Sequence, residues 1–207
     1  MPDKHVLLTG ATGFIGAHVI PLLVNNGYKI TAVSRKNPAH IKNDFHINYI
    51  SENMLDTNRS KEIVSKFKPT HLLHLAWEAR PGIYWTSEEN LKWSHASIEL
   101  FKAFFENGGV RGVSSGSCAQ YEWGGKDPLI EGVSLDKPST LYGQTKLAFE
   151  RSIMQYANDN NYSYASGRIF MTFGPGEYPQ KIAASVISAL SQNKPINTTD
   201  GMFLRDF

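Results

Sequence analysis

A doubly wound α/β fold, a parallel sheet with helices on both faces, is what this chain predicts, and three observations predict it. Short apolar runs rich in β-branched residues alternate with longer segments of helical periodicity. The first run, Val6-Leu7-Leu8, opens into a turn with glycines at 10, 13 and 16, and then into a helical pattern carrying Val19, Ile20, Leu22 and Leu23. A second run, residues 29 to 34, follows at the distance of one crossover unit. Glycine at 10 allows a tight turn, at 13 a close approach of backbone to a pyrophosphate, and at 16 a helix lying close on its strand. Free N–H groups at the helix start then face the phosphates. The turn reads as a dinucleotide cradle, with a purely structural Gly-rich turn as the plain alternative.

The 207 residues suffice for one full core with the start of a second. Lys and Arg total 21 against 19 Asp and Glu, a net charge of +2, which provides no basic field of the kind a nucleic-acid binder needs. No apolar run has the length of a membrane span and no N-terminal stretch has the pattern of a signal peptide, so a soluble, cytoplasmic protein is expected. The one cysteine, Cys118, forms no internal disulfide and fits a reducing compartment.

In chain order, the first helix is expected from about Gly13 to Asn26, with Pro21 inside it and Asn26-Gly27 closing it. The second strand ends in Ser34-Arg35-Lys36. A ribose 2′-hydroxyl is ordinarily received by an acid at this place, whereas a 2′-phosphate needs the cations and hydroxyl that these three residues carry. A solvated basic loop is the plain alternative. A short third strand, His46 to Ile50, leads to Asn53 and Met54, and a helix from Thr57 to Phe67 gives way at Lys68-Pro69 to a fourth strand, 71 to 76. His71 and His74, three apart on a strand, point to opposite faces, so no metal site is expected.

The loop after that strand holds Glu78, Arg80, Tyr84 and Trp85, where open α/β sheets bind ligands. They are candidate substrate contacts, with packing of the aromatics onto the next helix as the equal alternative. That helix, about 87 to 107, presents Leu91, Ile98, Leu100, Phe101, Phe104 and Phe105. Strand five, Val110 to Ser115, delivers Ser117 and Cys118, and Cys118 is expected as a small buried hydrophobe. Tyr142 and Lys146 begin a helix that runs to about Asn160. Four apart, they share one face, so the ammonium is expected to stabilise the phenolate and bring its titration toward neutrality. Strand six, 162 to 170, and a helix over 181 to 192 complete the pattern.

Thr9-Gly10-Ala11-Thr12-Gly13-Phe14-Ile15-Gly16, Ser117, and Tyr142-Gly143-Gln144-Thr145-Lys146 together resemble the extended short-chain dehydrogenase/reductase family, whose members mostly modify nucleotide-activated sugars. The resemblance implies a Rossmann domain over 1–177 and the start of a substrate domain over 178–207, which in the family continues well past Arg205-Asp206-Phe207. It implies a catalytic Ser117, Tyr142 and Lys146: the hydroxyls of Ser117 and Tyr142 bind the reacting oxygen, Tyr142 supplies the proton, and Lys146 positions the ribose. Implied around the dinucleotide are Gly10, Thr12, Gly13, Phe14, Ile15, Ser34, Arg35, Lys36, Asn53, Met54, Leu75, Ala76, Trp77, Ser115, Ile169 and Thr172. Implied at the substrate are Glu78, Arg80, Ser117, Met171 and Arg205.

The chain departs from the family pattern in four places. Asn53-Met54 stands for Asp-Leu or Asp-Ile at the adenine, Met171 replaces an Asn that contacts the sugar nucleotide, and Trp93 stands near the place of an Asn that braces the site. At Ser117-Cys118-Ala119 the acids of the dehydratases are absent. The basic Ser34-Arg35-Lys36 favours NADP over NAD, and together with the absent dehydratase acids and Met171 it favours an NADP-dependent reductase of a nucleoside-diphosphate-linked 4-keto-6-deoxy sugar over an NAD-dependent nucleotide-sugar 4-epimerase. A dinucleotide-binding subunit without turnover is the third reading. A homodimer through helices 87–107 and 140–160 is implied, with no nucleic-acid or membrane partner.

Overall fold

The structure is a computed structural model and describes residues 4–36, 45–124, 127–198, 200 and 202. Its strands are β1 His5–Thr9, β2 Lys29–Ser34, β3 Ile47–Ser51, β4 His71–His74, β5 Arg111–Ser117 and β6 Ser163–Ile169. They form one sheet in the order β3-β2-β1-β4-β5-β6. Leu7 lies beside Thr31 on one side and Leu72 on the other, in parallel register. The helices are α1 Phe14–Asn25, α2 Thr57–Phe67, α3 Glu89–Glu106, α4 Leu141–Asp159 and α5 Ile182–Ser191. The fold is the expected Rossmann arrangement.

Strand alternation divides the core. Val6 and Leu8 of β1 join Ile30 and Ala32 of β2 on one face, under Ile20, Leu23 and Val24 of α1. Leu7, Val33 and Leu72 point to the other face, where they meet Ile63 and Val64 of α2, Leu100, Phe101 and Phe104 of α3, and Phe149 and Ile153 of α4. Each fully buried aromatic or aliphatic side chain in that layer stabilises the fold by about 1.5–3 kcal/mol. Two glycines set the depth of the α3 rings. A Cβ on Gly112 of β5 would stand 2.7 Å from the Phe101 ring, and one on Gly109 would stand 2.4 Å from the Phe104 ring.

Local chemistry explains the helix ends. Asp56 caps α2 by accepting from the backbone N–H of Asn58 and Arg59, and the helix stops at Lys68, in the left-handed region with φ 42° ahead of Pro69. Thr140 caps α4 through the Gly143 N–H. β4 ends at His74 rather than Ala76, because the chain turns over the end of β1: Leu75 N–H donates to Thr9 O and Ala76 N–H to Thr9 Oγ1. His74 is enclosed between the Thr9 and Ser97 hydroxyls, 2.7 and 2.8 Å from its two ring nitrogens, while His71 sits edge-on to Tyr28.

The chain divides into two compact units, Met1–Arg168 and Ile169–Phe207. In the second, Glu177 pairs with Lys181 at 3.4 Å, and α5 follows with no buried residue. Among the described residues no helix is long and apolar enough to cross a membrane.

Candidate functional site

The glycine turn is built as a cradle. Gly10 has φ +71°, and a Cβ there would stand 2.9 Å from the Ala76 nitrogen; one on Gly16 would stand 2.3 Å from Gly10 O. Both glycines are therefore fixed by backbone against backbone. Gly13 is exposed, its N–H folded back onto Gly10 O at 2.9 Å. It opens α1 with no capping side chain and no acid in the first turn. The first N–H groups of α1 lack a side-chain partner and carry the positive end of the helix dipole, a donor set that fits a diphosphate. Thr12 is exposed beside them, with Phe14 and Ile15 half-buried behind.

At the end of β2 the Ser34 hydroxyl donates to Lys36 O at 2.6 Å, while the Arg35 and Lys36 side chains are exposed. Asn53 is exposed and accepts from Leu55 N–H through its side-chain oxygen; Met54 is buried in the core layer. After β4, Leu75 and Ala76 are half-buried and Trp77 is buried. Glu78 is buried and takes three bonds from Arg80: Nε at 2.9 Å, Nη2 at 2.7 Å and the backbone N–H at 3.0 Å. These bonds hold its carboxyl below the usual carboxylate range, and Arg35 nearby pulls the same way.

Ser117, Tyr142 and Lys146 do come together. Ser117 caps a single 3-10 turn, Cys118–Gln120, its Oγ accepting from Ala119 N–H, and its hydroxyl lies near enough to the Tyr142 phenol to lower that group's titration. Lys146 Nζ donates to Ser115 O at 2.9 Å and lies 4.0 Å above the Trp77 ring. Burial lowers Lys146 to about 7, against the opposing pull of Glu150. The expected lowering of Tyr142 by Lys146 is not present, and this is a correction. Burial pushes the phenol up and outweighs the Ser117 hydroxyl, which pulls it down; a lysine that gives up its proton near 7 is already neutral where the phenol titrates.

Tyr84 and Trp85 of the 77–86 loop pack on this phenol, whereas Trp77 of the same loop stacks on Trp93 of α3. Tyr84 and Trp85 meet the Tyr142 ring edge-on with centroids at 4.9 and 5.8 Å, and Tyr142 N–H donates to Trp85 O. Burial pushes the Tyr84 phenol up to about 12. It also raises the Cys118 thiol, which leaves that side chain inert.

Two groups of residues escaped the sequence reading. Glu150 is buried one turn beyond Lys146 and accepts from Gln120 Nε2 at 2.9 Å, Ser166 Oγ at 2.7 Å and Arg168 Nη2 at 2.7 Å. Arg168 also forks onto Asp136 and lies over the Tyr121 ring, and Gln120 Oε1 accepts the Ser117 N–H at 2.7 Å. This network ends on the backbone of the site serine; its signal was the spacing Tyr142, Lys146, Glu150 on one helix face. The second is Asn90, which no motif marked; it holds Trp77, expected at the dinucleotide, which stacks on Trp93, expected near the place of a bracing Asn. Ile169, Met171 and Thr172 belong to the second unit, Met171 exposed and the other two half-buried, and Arg205 lies outside the described residues. Among the described residues no group of three metal-ligating side chains occurs.

The chain is similar to several known proteins. It is 30% identical to methionine adenosyltransferase 2 subunit beta of Xenopus tropicalis, over 92% of this chain and 52% of that protein. It is 28% identical to UDP-glucuronate 4-epimerase 1 of Arabidopsis thaliana, over 95% of this chain and 49% of that one. The chain thus spans about half the length of these curated relatives. Among solved structures, MoeE5 in complex with UDP-glucose and NAD is 31% identical, with a TM-score of 0.75 over 93% of this chain and 62% of that one. The cradle, the serine, the tyrosine and the lysine thus stand in a chain whose residues 6–207 match the model of the NAD dependent epimerase/dehydratase family, and to that family it belongs.

Proposed function

We propose that this chain carries the dinucleotide-binding half of an enzyme that oxidises and reduces C4 of a nucleotide-linked sugar, in the manner of a 4-epimerase. The observation that carries the reading is the meeting of Ser117, Tyr142 and Lys146 with the glycine cradle at the carboxyl ends of β1, β4 and β5. In this reading residues 1–177 hold the dinucleotide and 178–207 begin the substrate-binding part. A nicotinamide dinucleotide, when bound, supplies the site with hydride chemistry. As the phenolate Tyr142 takes the proton of a sugar hydroxyl and as the phenol it returns it, and a substrate oxygen placed between the Ser117 and Tyr142 hydroxyls is held by both. Lys146, titrating near 7, is the nearby group that takes up or gives back charge as the phenol changes state. Support for the epimerase type comes from similarity to UDP-glucuronate 4-epimerase 1 and to MoeE5 bound to UDP-glucose and NAD.

A second reading, an NADP-dependent reductase of a keto sugar, is favoured by Ser34-Arg35-Lys36, which puts two exposed cations and no acid at the end of β2. A third, a binding subunit without turnover, is favoured by similarity to the protein named subunit beta. The paired helices α3 and α4, with Leu91 and Met154 exposed, are proposed as the homodimer face.

One experiment separates these readings. NADH and NADPH are titrated by nicotinamide fluorescence into native protein and Arg35→Ala, followed by incubation with UDP-glucose and UDP-glucuronate. Interconversion of 4-epimers with no net change in reduced cofactor supports the first reading. An NADPH preference that collapses in Arg35→Ala, with one NADPH consumed per keto sugar, replaces it by the second. Saturable binding with no turnover leaves the third.

A further inference from the structure

Lys146 is a buried cation with little around it to balance its charge. It is 3% exposed, and among the described residues its three N–H donors meet one hydrogen-bond acceptor, Ser115 O at 2.9 Å. What lies beneath the ammonium is the face of Trp77, whose centroid is 4.0 Å away. An indole face attracts a cation, and more strongly as water is removed.

That indole is not free to turn. Its Nε1–H donates to Asn90 Oδ1 at 2.8 Å, and the ring stacks on Trp93 with centroids 6.3 Å apart and planes 27° apart. Asn90 is fully buried, and its Nδ2 donates both to Tyr84 O at 2.6 Å and to Ser87 O at 2.8 Å. The turn that Asn90 grips in this way is the one that sets Tyr84 and Trp85 edge-on against Tyr142. One side chain therefore ties the surface under the lysine to the surface beside the tyrosine.

We propose that Trp77, locked by Asn90 and Trp93, is a positioning residue that seats the Lys146 cation and, through Asn90 and the 84–87 turn, fixes it relative to the Tyr142 phenol. The inference rests on the function proposed above only where dinucleotide affinity is the readout; the lysine titration stands alone. Around Lys146, β4 presents His74, which burial and Lys146 lower to about 3, so it stays neutral. From its own helix α4 comes Glu150, held below its ordinary value by Arg168, Gln120 and Ser166 and so anionic. The strand β5 contributes the Ser115 carbonyl, and α3 reaches the lysine through Trp77. Above pH 5 the charges facing Lys146 are constant, so its titration reports its seat.

The test is an NMR titration of the full chain with lysine isotope-labelled at the ε-carbon. The Lys146 signal is assigned by its loss in Lys146→Met. Protein is made with tryptophan, with singly fluorinated tryptophan and with trifluorinated tryptophan. Fluorine drains the negative ring face at little cost in volume, so the fold is kept. The Lys146 midpoint, near 7 in native protein, is expected to fall stepwise with fluorination, by about one pH unit in all. A midpoint indifferent to fluorination overturns the proposal. In a second arm, Trp77→Leu weakens dinucleotide binding about tenfold, and Trp77→Phe, which keeps a π face, recovers part of the loss. Equal loss in both makes the ring a mere filler and overturns the proposal as well. If native protein binds no dinucleotide, the proposed function falls and the lysine titration still decides the role of Trp77.

Discussion

Replacing Glu150 by Gln removes one charge from the network behind the site serine. Glu150 Oε1 receives Arg168, and Oε2 receives Gln120 and Ser166. In the variant one of these oxygens becomes an NH₂ group, which then faces a donor whichever way the amide lies. Breaking a buried ion pair by removing one partner costs about 3–5 kcal/mol. Arg168 keeps its fork onto Asp136, so a cost just below that range applies, about 2–3 kcal/mol at pH 7. The pH dependence follows from the direction of the shift. Burial pushes the Glu150 carboxyl up, but its bonds from Arg168, Gln120 and Ser166 outweigh this and hold it below its ordinary value. The unfolded chain thus takes up a proton at a pH where the folded chain does not, so the stabilisation is complete above about pH 4.5 and is lost as pH falls through the folded value. Urea unfolding followed by tryptophan fluorescence should show the full gap between native protein and Glu150→Gln at pH 7 and a narrowing gap in acid. A gap under about 1 kcal/mol at pH 7, or one that does not narrow, would refute the reasoning. Because Gln120 loses an anchor while holding the Ser117 N–H, kcat/KM is expected to fall about tenfold or more with dinucleotide affinity little changed.

Three other predictions follow from single observations. Gly16→Ala places a methyl 2.3 Å from Gly10 O and should weaken dinucleotide binding more than about tenfold by fluorescence titration; normal binding would show that the turn can relax. His74, lowered to about 3, stays neutral in the folded state while the unfolded chain protonates below about 6.5. Between pH 7 and pH 5 the native protein should therefore lose about 2 kcal/mol more urea stability than His74→Gln, and parallel losses would contradict this. Lys146→Met should raise stability by about 4 kcal/mol at pH 7, because the folded lysine gives up its proton near 7 and the unfolded one near 10.4. That advantage should vanish toward pH 10, and a variant less stable at pH 7 would show that Trp77 and Ser115 more than offset the burial.

The parts of the fold that were legible in the sequence are those where one residue type has one use. The glycines at 10 and 16 are fixed by backbone contacts that any Cβ would break, and a strand-turn-helix with such spacing has few other readings. The expected helix from Thr57 to Phe67 matches α2 because Asp56 and Lys68-Pro69 punctuate it in the chain itself. The site was legible to the extent that Tyr142 and Lys146 share a helix face and Ser117 ends a strand. Their electrostatics were not, because burial by segments distant in sequence raises the Tyr142 phenol and lowers the Lys146 ammonium. Glu150, Gln120 and Arg168 come from three separate segments, and only the folded chain brings their partners within 3 Å. The expected fourth strand extends two residues past the end of β4 because Leu75 and Ala76 suit a strand, while Thr9 captures their N–H groups.

The glycine recesses at 109 and 112 bear on how this domain can vary over generations. Each is an empty mould filled by a ring from α3, Phe104 in one and Phe101 in the other. A smaller side chain at 101 or 104 leaves a void, which a folded domain can survive at a cost of about 3–5 kcal/mol. A side chain at 109 or 112 meets a ring held on every side, and the ring has nowhere to go. The permitted order of change is thus one-way: the ring must shrink before the glycine can grow. In a library that samples both positions at once, survivors with alanine at 112 should appear only in company with a reduced residue at 101, a directional dependence between two packed positions.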